Sequence, residues 1–268
     1  MPSLPLDGMG WGLRRRLISS LLLVPPVLAA VILGRPWSFL LLLVLIVVLS
    51  WEWTRLTQGL FLPASGIALM ATICLGVSLA GLDLWLTALL ALLAGGSASG
   101  LLVSGRRWQG VWQLLGSFYL GGACLALYYL REVESQGLDW TLWLLAIVWT
   151  VDVFAYMVGK SVGGWKLWPS VSPKKTWAGL AGGTAAGTLV GLCGSFWLLP
   201  HPHWQLALAA GLLSLVVQSG DLVESALKRK FGVKDASALI PGHGGLMDRV
   251  DGLLPAAVAL AIALWLGA

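Results

Sequence analysis

With 268 residues, 58% of them hydrophobic, a mean hydropathy of +0.85 and only 11% charged side chains, the chain is excluded from the soluble globular class, which carries about 25% charged residues. Its 17 basic and 12 acidic residues leave a formal charge of +5, dispersed among short loops, and this predicts no nucleic-acid partner. No stretch is polar enough for a separate water-soluble domain, so residues 1–268 read as a single membrane domain.

Continuously apolar runs at about 17–34, 36–51, 61–81, 84–103, 111–130, 141–159, 177–199, 204–222 and 252–268 predict an all-α polytopic protein of nine spans, the second and last of them short. Barrel strands would instead alternate with period two. The first run follows Arg14, Arg15 and Arg16 and has the look of a signal peptide, but eight further runs behind it predict a retained helix. With the N-terminus cytoplasmic, Arg14 to Arg16, Arg55, Arg106, Arg107, Lys160, Lys166, Lys174, Lys175, Lys228, Arg229, Lys230, Lys234 and Arg249 all face inward. Only Arg35 and Arg131 then face outward, and this division of 15 against 2 is what lysine and arginine retention in cytoplasmic loops predicts.

Cys74, Cys124 and Cys193 lie in apolar runs without metal-ligand spacing and read as packing residues. Many of the sixteen tryptophans, among them Trp37, Trp51, Trp53, Trp108, Trp140 and Trp204, fall near span ends, as interfacial anchors do. Up to about residue 140 no polar group demands more than topology, and this part reads mainly as scaffold spans. Residues 141–268 carry the chemistry, in catalytic spans and cytoplasmic loops, because acids enter the spans from Asp152 onward. Gly179, Gly183, Gly187 and Gly191 recur every four residues, a spacing that lets helix backbones pack closely.

Asp221 and Glu224 share a face if the eighth helix continues, and Asp248 and Asp251 repeat that spacing before the ninth. Acids at a membrane boundary face a cavity, a cation or a counter-charge, and two such pairs suit Mg²⁺, which takes a few carboxylates and completes its shell with water and phosphate. Salt bridges to Lys228, Arg229 and Arg249 that merely hold the loop are the other reading. Lys228, Arg229, Lys234 and Arg249 supply positive charge suited to a triphosphate. In Pro241-Gly242-His243-Gly244-Gly245 the glycines allow phosphate to approach the main chain, and His243 suits either phosphate contact and proton transfer or a structural turn.

The segment from Ser225 to Asp251 reads Ser-x-Leu-Lys-Arg, four residues, Lys-Asp-x-Ser, then Pro-x-His-Gly-Gly-x-x-Asp-Arg-x-Asp. It resembles the signature of the phosphatidate cytidylyltransferases, or CDP-diacylglycerol synthases. Asp248 and Asp251 match acidic positions of that signature, and Asp221 matches an acid that commonly precedes it. The loop from Asp152-Val-Phe-Ala-Tyr through Gly159-Lys160 to Ser172-Pro-Lys-Lys-Thr-Trp-Ala-Gly is also similar to the family, except that Ala178 stands where glutamate is usual.

What the resemblance implies is a transfer from CTP to phosphatidate that releases pyrophosphate, at the cytoplasmic face of the inner cell membrane, with Mg²⁺ and room for a second metal ion. It assigns Asp221, Asp248, Asp251 and His243 to catalysis, the three aspartates to metal, and Lys174, Lys175, Thr176, Ser225, Lys228, Arg229, Lys234, Arg249, Gly244 and Gly245 to substrate. A homodimer is compatible with it. A cation-coupled transporter using Asp152 and Asp221 as intramembrane relays is the alternative. Gly159-Lys160-Ser161 imitates a P-loop end, but Phe154 holds the first glycine position. Asp251-Gly252 opens like a CDP-alcohol phosphotransferase motif whose remaining residues are missing.

Overall fold

The computed structural model describes residues 22–103, 107–132, 136–196, 203–240 and 244–267. The basic cluster Arg14 to Arg16, Arg106, and Pro241 to His243 lie outside these residues. Each apolar run predicted from sequence coincides with a helix: α1 (Leu22–Leu33), α2 (Trp37–Gln58), α3 (Ala64–Ala80), α4 (Trp85–Leu101), α5 (Arg107–Glu132), α6 (Gly137–Val162), α7 (Trp177–Ser195), α8 (His203–Lys230) and, after the single turn α9 (Met247–Val250), α10 (Leu253–Gly267). The protein is an all-α membrane protein. Among the described residues α2, α6 and α8, together with Trp108–Glu132 of α5, are long and apolar enough to cross a bilayer, and several shorter helices are equally apolar.

Side chains face in two directions. Leu86, Leu101 and Trp265 are 70% or more exposed on outer faces, where a soluble protein would not collect them but acyl chains would cover them. Inward-facing residues form two apolar clusters. One joins α2, α3, α4 and α5 around Ile46, Leu69, Leu92 and Leu120; the other joins α5, α6, α8 and α10 around Leu130, Trp143, Ile147 and Leu260. Met247 and Leu254 belong to the first cluster and Ala256 and Ala257 to the second. The segment from α9 into α10 therefore sits at the seam of the molecule.

The glycine stripe of α7 packs as its spacing predicts. A Cβ on Gly183 would lie 3.0 Å from the Ala155 methyl of α6, one on Gly187 would collide with Ser214 of α8, and one on Gly191 with Ala210. Three backbones thus approach as closely as small residues allow. Two features go beyond the hydropathy reading. The polar loop after α6 leaves through Gly163 and Gly164, both at positive φ, and forms an antiparallel hairpin of β1 (Lys166–Trp168) and β2 (Ser172–Thr176), in which Lys166 pairs with Thr176. Helix α8 continues past the predicted end at 222 to Lys230, since Glu-Ser-Ala-Leu-Lys-Arg-Lys is polar but favours helix. Its 28 residues span about 42 Å, so one end stands clear of the hydrocarbon.

Candidate active site

A cavity of about 820 Å³ opens where the end of α6, the hairpin, the start of α7 and the middle of α8 meet. This is within the size range of small-ligand sites. Asp152, Lys160, Lys166, Lys174, Lys175, Asp221 and Arg249 line it, five cations and two acids drawn from segments far apart in sequence. Local structure aims them. The Thr176 hydroxyl accepts the Gly179 amide and caps α7, which fixes the strand carrying Lys174 and Lys175 against the helix start. A Cβ on Gly179 would lie 2.7 Å from the Ala155 carbonyl oxygen, so glycine there brings α7 onto α6 beside the cavity.

On α8, Asp221 pairs with Lys175 Nζ at 2.5 Å and accepts the Ser225 hydroxyl at 3.3 Å. Lys175 also donates to the Gln218 carbonyl. Two turns further along α8, Lys228 is buried between Glu224, at 3.0 Å, and Asp248, at 2.5 Å, with side-chain exposure below 10% for all three. The second oxygen of Asp248 accepts the amides of Ala236 and Gly245. Asp251 is partly buried and accepts the Gly252 amide. Removal of water from around it, and then the negative charge of Asp221 and Asp152, push its carboxyl well above the usual carboxylate range.

A third carboxylate holds the same loop from the other side. Glu52 of α2 is fully buried; its Oε1 accepts the Ser237 hydroxyl at 2.5 Å and the Leu246 amide at 2.9 Å, and its Oε2 accepts the Met247 amide at 2.6 Å. The Gly-Gly pair makes room for these contacts. Gly244 has φ +83°, and a Cβ there would lie 2.8 Å from Asp248 Oδ2, while one on Gly245 would lie 2.5 Å from Glu52 Oε1.

A sequence model described as the Cytidylyltransferase family matches residues 14–266. The chain belongs to that family. It is 46% identical over 157 residues to a phosphatidate cytidylyltransferase of Brucella abortus, covering 59% of this chain and 57% of the relative. Phosphatidate cytidylyltransferases of Staphylococcus epidermidis and Bacillus subtilis are each 42% identical, over 142 and 143 residues, covering 53% and 52% of this chain and 54% and 52% of theirs. The match thus spans about half the length of the curated relatives.

Set against the family signature, the residues expected to act together separate into two groups. Lys174, Lys175, Thr176, Asp221 and Arg249 share the cavity, with Ser225 bonded to Asp221 at its edge. Asp248 and Lys228 are bonded to one another: both Asp248 oxygens accept hydrogen bonds, and Lys228 is buried between Glu224 and Asp248, an arrangement that braces the loop against α8. Arg229 donates to the carbonyls of Val171 and Val233 and ties α8 to the hairpin turn. Lys234 is exposed, beyond the cavity lining. At Gly244 and Gly245 the nearest neighbours of an added Cβ would be the chain's own carboxylates, Asp248 and Glu52. His243 lies outside the described residues.

The sequence pattern assigns no site role to Glu52, Lys160 or Lys166, although Gly159-Lys160 falls within the loop similar to the family. Glu52 falls one residue beyond the predicted second span, whereas α2 runs on to Gln58; an acid inside a continuing apolar helix was the available signal.

Proposed function

We propose that the chain transfers the cytidylyl group of CTP to phosphatidate, forming CDP-diacylglycerol and pyrophosphate, at the cytoplasmic face of a cell membrane. The observation that carries this reading is the cavity itself: five cations and two carboxylates gathered where α6, the hairpin, α7 and α8 meet, a place where a lipid phosphate and an aqueous triphosphate can come together. A phosphatidate oxygen attacks the α-phosphorus, the bond from that phosphorus to the bridging oxygen breaks, and pyrophosphate takes the electron pair. Lys160, Lys166, Lys174, Lys175 and Arg249 offset the phosphate charge and fix the two reactants in line. No protein nucleophile is needed.

The donor set fits a hard divalent cation such as Mg²⁺. Asp221, Asp152 and Asp251 gather negative charge through oxygen ligands only, though among the described residues no three acidic, histidine or cysteine side chains form a metal centre unaided. Water and substrate phosphate commonly complete such a shell. Asp221 and Asp251 are the residues assigned to hold the ion, which supplies charge neutralisation at the α-phosphate and leaving pyrophosphate when bound; Asp248, bonded to Lys228, is assigned to the brace. Asp152 and Asp221 open onto the same cationic cavity, an arrangement that favours anionic substrates over a transport relay.

Purified protein in detergent, given phosphatidate, Mg²⁺ and each labelled nucleoside triphosphate in turn, is expected to form a nucleotide-linked lipid with CTP. No product, or equal product with all four nucleotides, would overturn the reading.

A further inference from the structure

Among the described residues between Lys234 and Leu253, regular structure is limited to an Ile240–Gly244 bridge and the single turn α9. What fixes it is hydrogen bonding of three consecutive backbone amides by two carboxylates: Gly245 by Asp248, then Leu246 and Met247 by Glu52. Glu52 is separated from these partners by 185 to 195 residues, and all three of its contacts are donors reaching a fully buried acceptor. Arg249, two residues past Met247, faces the cavity.

We propose that Glu52 is a positioning residue for the transfer reaction: by holding Ser237, Leu246 and Met247 it sets the register of the signature segment and aims Arg249 at the substrate phosphates. The inference rests on the cytidylyltransferase reading above. Its physical basis is the close tolerance of reacting groups, for which a displacement of about 1 Å costs on the order of a hundredfold in rate. A helix of the first cluster thereby governs a site built otherwise from α6, the hairpin, α7 and α8.

Glu52→Gln is the sharpest test, because it keeps size but puts an NH₂ donor against one of three donors that need an acceptor. Turnover per molecule of folded protein, counted from the monodisperse gel-filtration peak in detergent, should fall at least about tenfold, with the loss in kcat larger than any rise in KM for phosphatidate, since the segment carrying Arg249 shifts. Hydrogen exchange in a peptide covering 244–251 should rise in parallel, and Glu52→Asp, which keeps the acceptors on a shorter stem, should recover part of the turnover. If Glu52→Gln does not fold, Ser237→Ala removes one of the three donors to Glu52, along with the acceptor of the Leu239 amide, and should lower kcat severalfold. Wild-type kcat per folded molecule in Glu52→Gln, or in Ser237→Ala where that stands in, would overturn the inference. A wild-type protein that makes no nucleotide-linked lipid would instead overturn the reading of the reaction, an outcome separate from any effect of Glu52.

Discussion

Lys228 and Asp221 lie seven residues apart on one helix face, yet their surroundings give them opposite work. Lys228 is enclosed with Glu224 and Asp248 at side-chain exposures of 9%, 0% and 6%, whereas Asp221 is 35% exposed beside Lys175. Removing one member of a buried charge cluster leaves its partners uncompensated, at about 3–5 kcal/mol. Lys228→Met is therefore expected to lower stability on that scale, seen as a loss of melting temperature and of yield. Asp221→Asn should melt near wild type but lose turnover by about two orders of magnitude or more, and lose any rise in melting temperature that Mg²⁺ gives the parent protein. Equal melting temperatures for the two variants would contradict this division. Sequence spacing does not make it, because Asp221–Glu224 and Asp248–Asp251 carry the same interval; which acid is enclosed depends on the packing of Asp248 against Lys228 and Ala236, a contact no local pattern encodes.

At the scale of elements, helices were legible and their junctions were not. Nine apolar runs become helices because hydropathy alone decides burial in a bilayer, and the α7 stripe was legible because glycine at every fourth position has one dominant use. The β1–β2 hairpin was hidden, since Lys-Leu-Trp and Ser-Pro-Lys-Lys-Thr show no alternation long enough to register as strands. The stripe makes a clean prediction. Gly187→Val drives two methyls into Ser214 and Val151 and must separate α7 from α8 and α6; overpacking of this kind costs about 1–3 kcal/mol. Because α6, α7 and α8 all wall the cavity, nucleotide affinity should fall together with melting temperature. Gly122→Ala on α5, where a Cβ meets nothing within 4 Å, is the matched control and should change neither quantity.

For the whole molecule, charge is distributed end to end. Arg131, one of two basic residues predicted to face outward, donates to the Val31 carbonyl, and the other, Arg35, pairs with Glu132 at 2.9 Å, so both gather where α1 meets α5. At the opposite end of α5, Trp112 lies 4.7 Å from the Lys230 ammonium, next to the loop that leads to Arg249. The fifteen-to-two division of basic residues is an expectation from sequence, and under the proposed cytoplasmic N-terminus and nine spans the cavity would face the side that holds nucleoside triphosphates. Labelling decides it. With Cys74, Cys124 and Cys193 replaced by serine, Asp235→Cys, on the exposed part of the signature loop, should resist a membrane-impermeant thiol reagent in intact cells and react after lysis. Leu82→Cys, between α3 and α4 and 70% exposed, should react in intact cells. The pair is diagnostic because an odd error in the span count between the two positions puts both on one side, while reversal of the whole chain exchanges them, and either pattern would move the cavity away from its nucleotide or break the charge division.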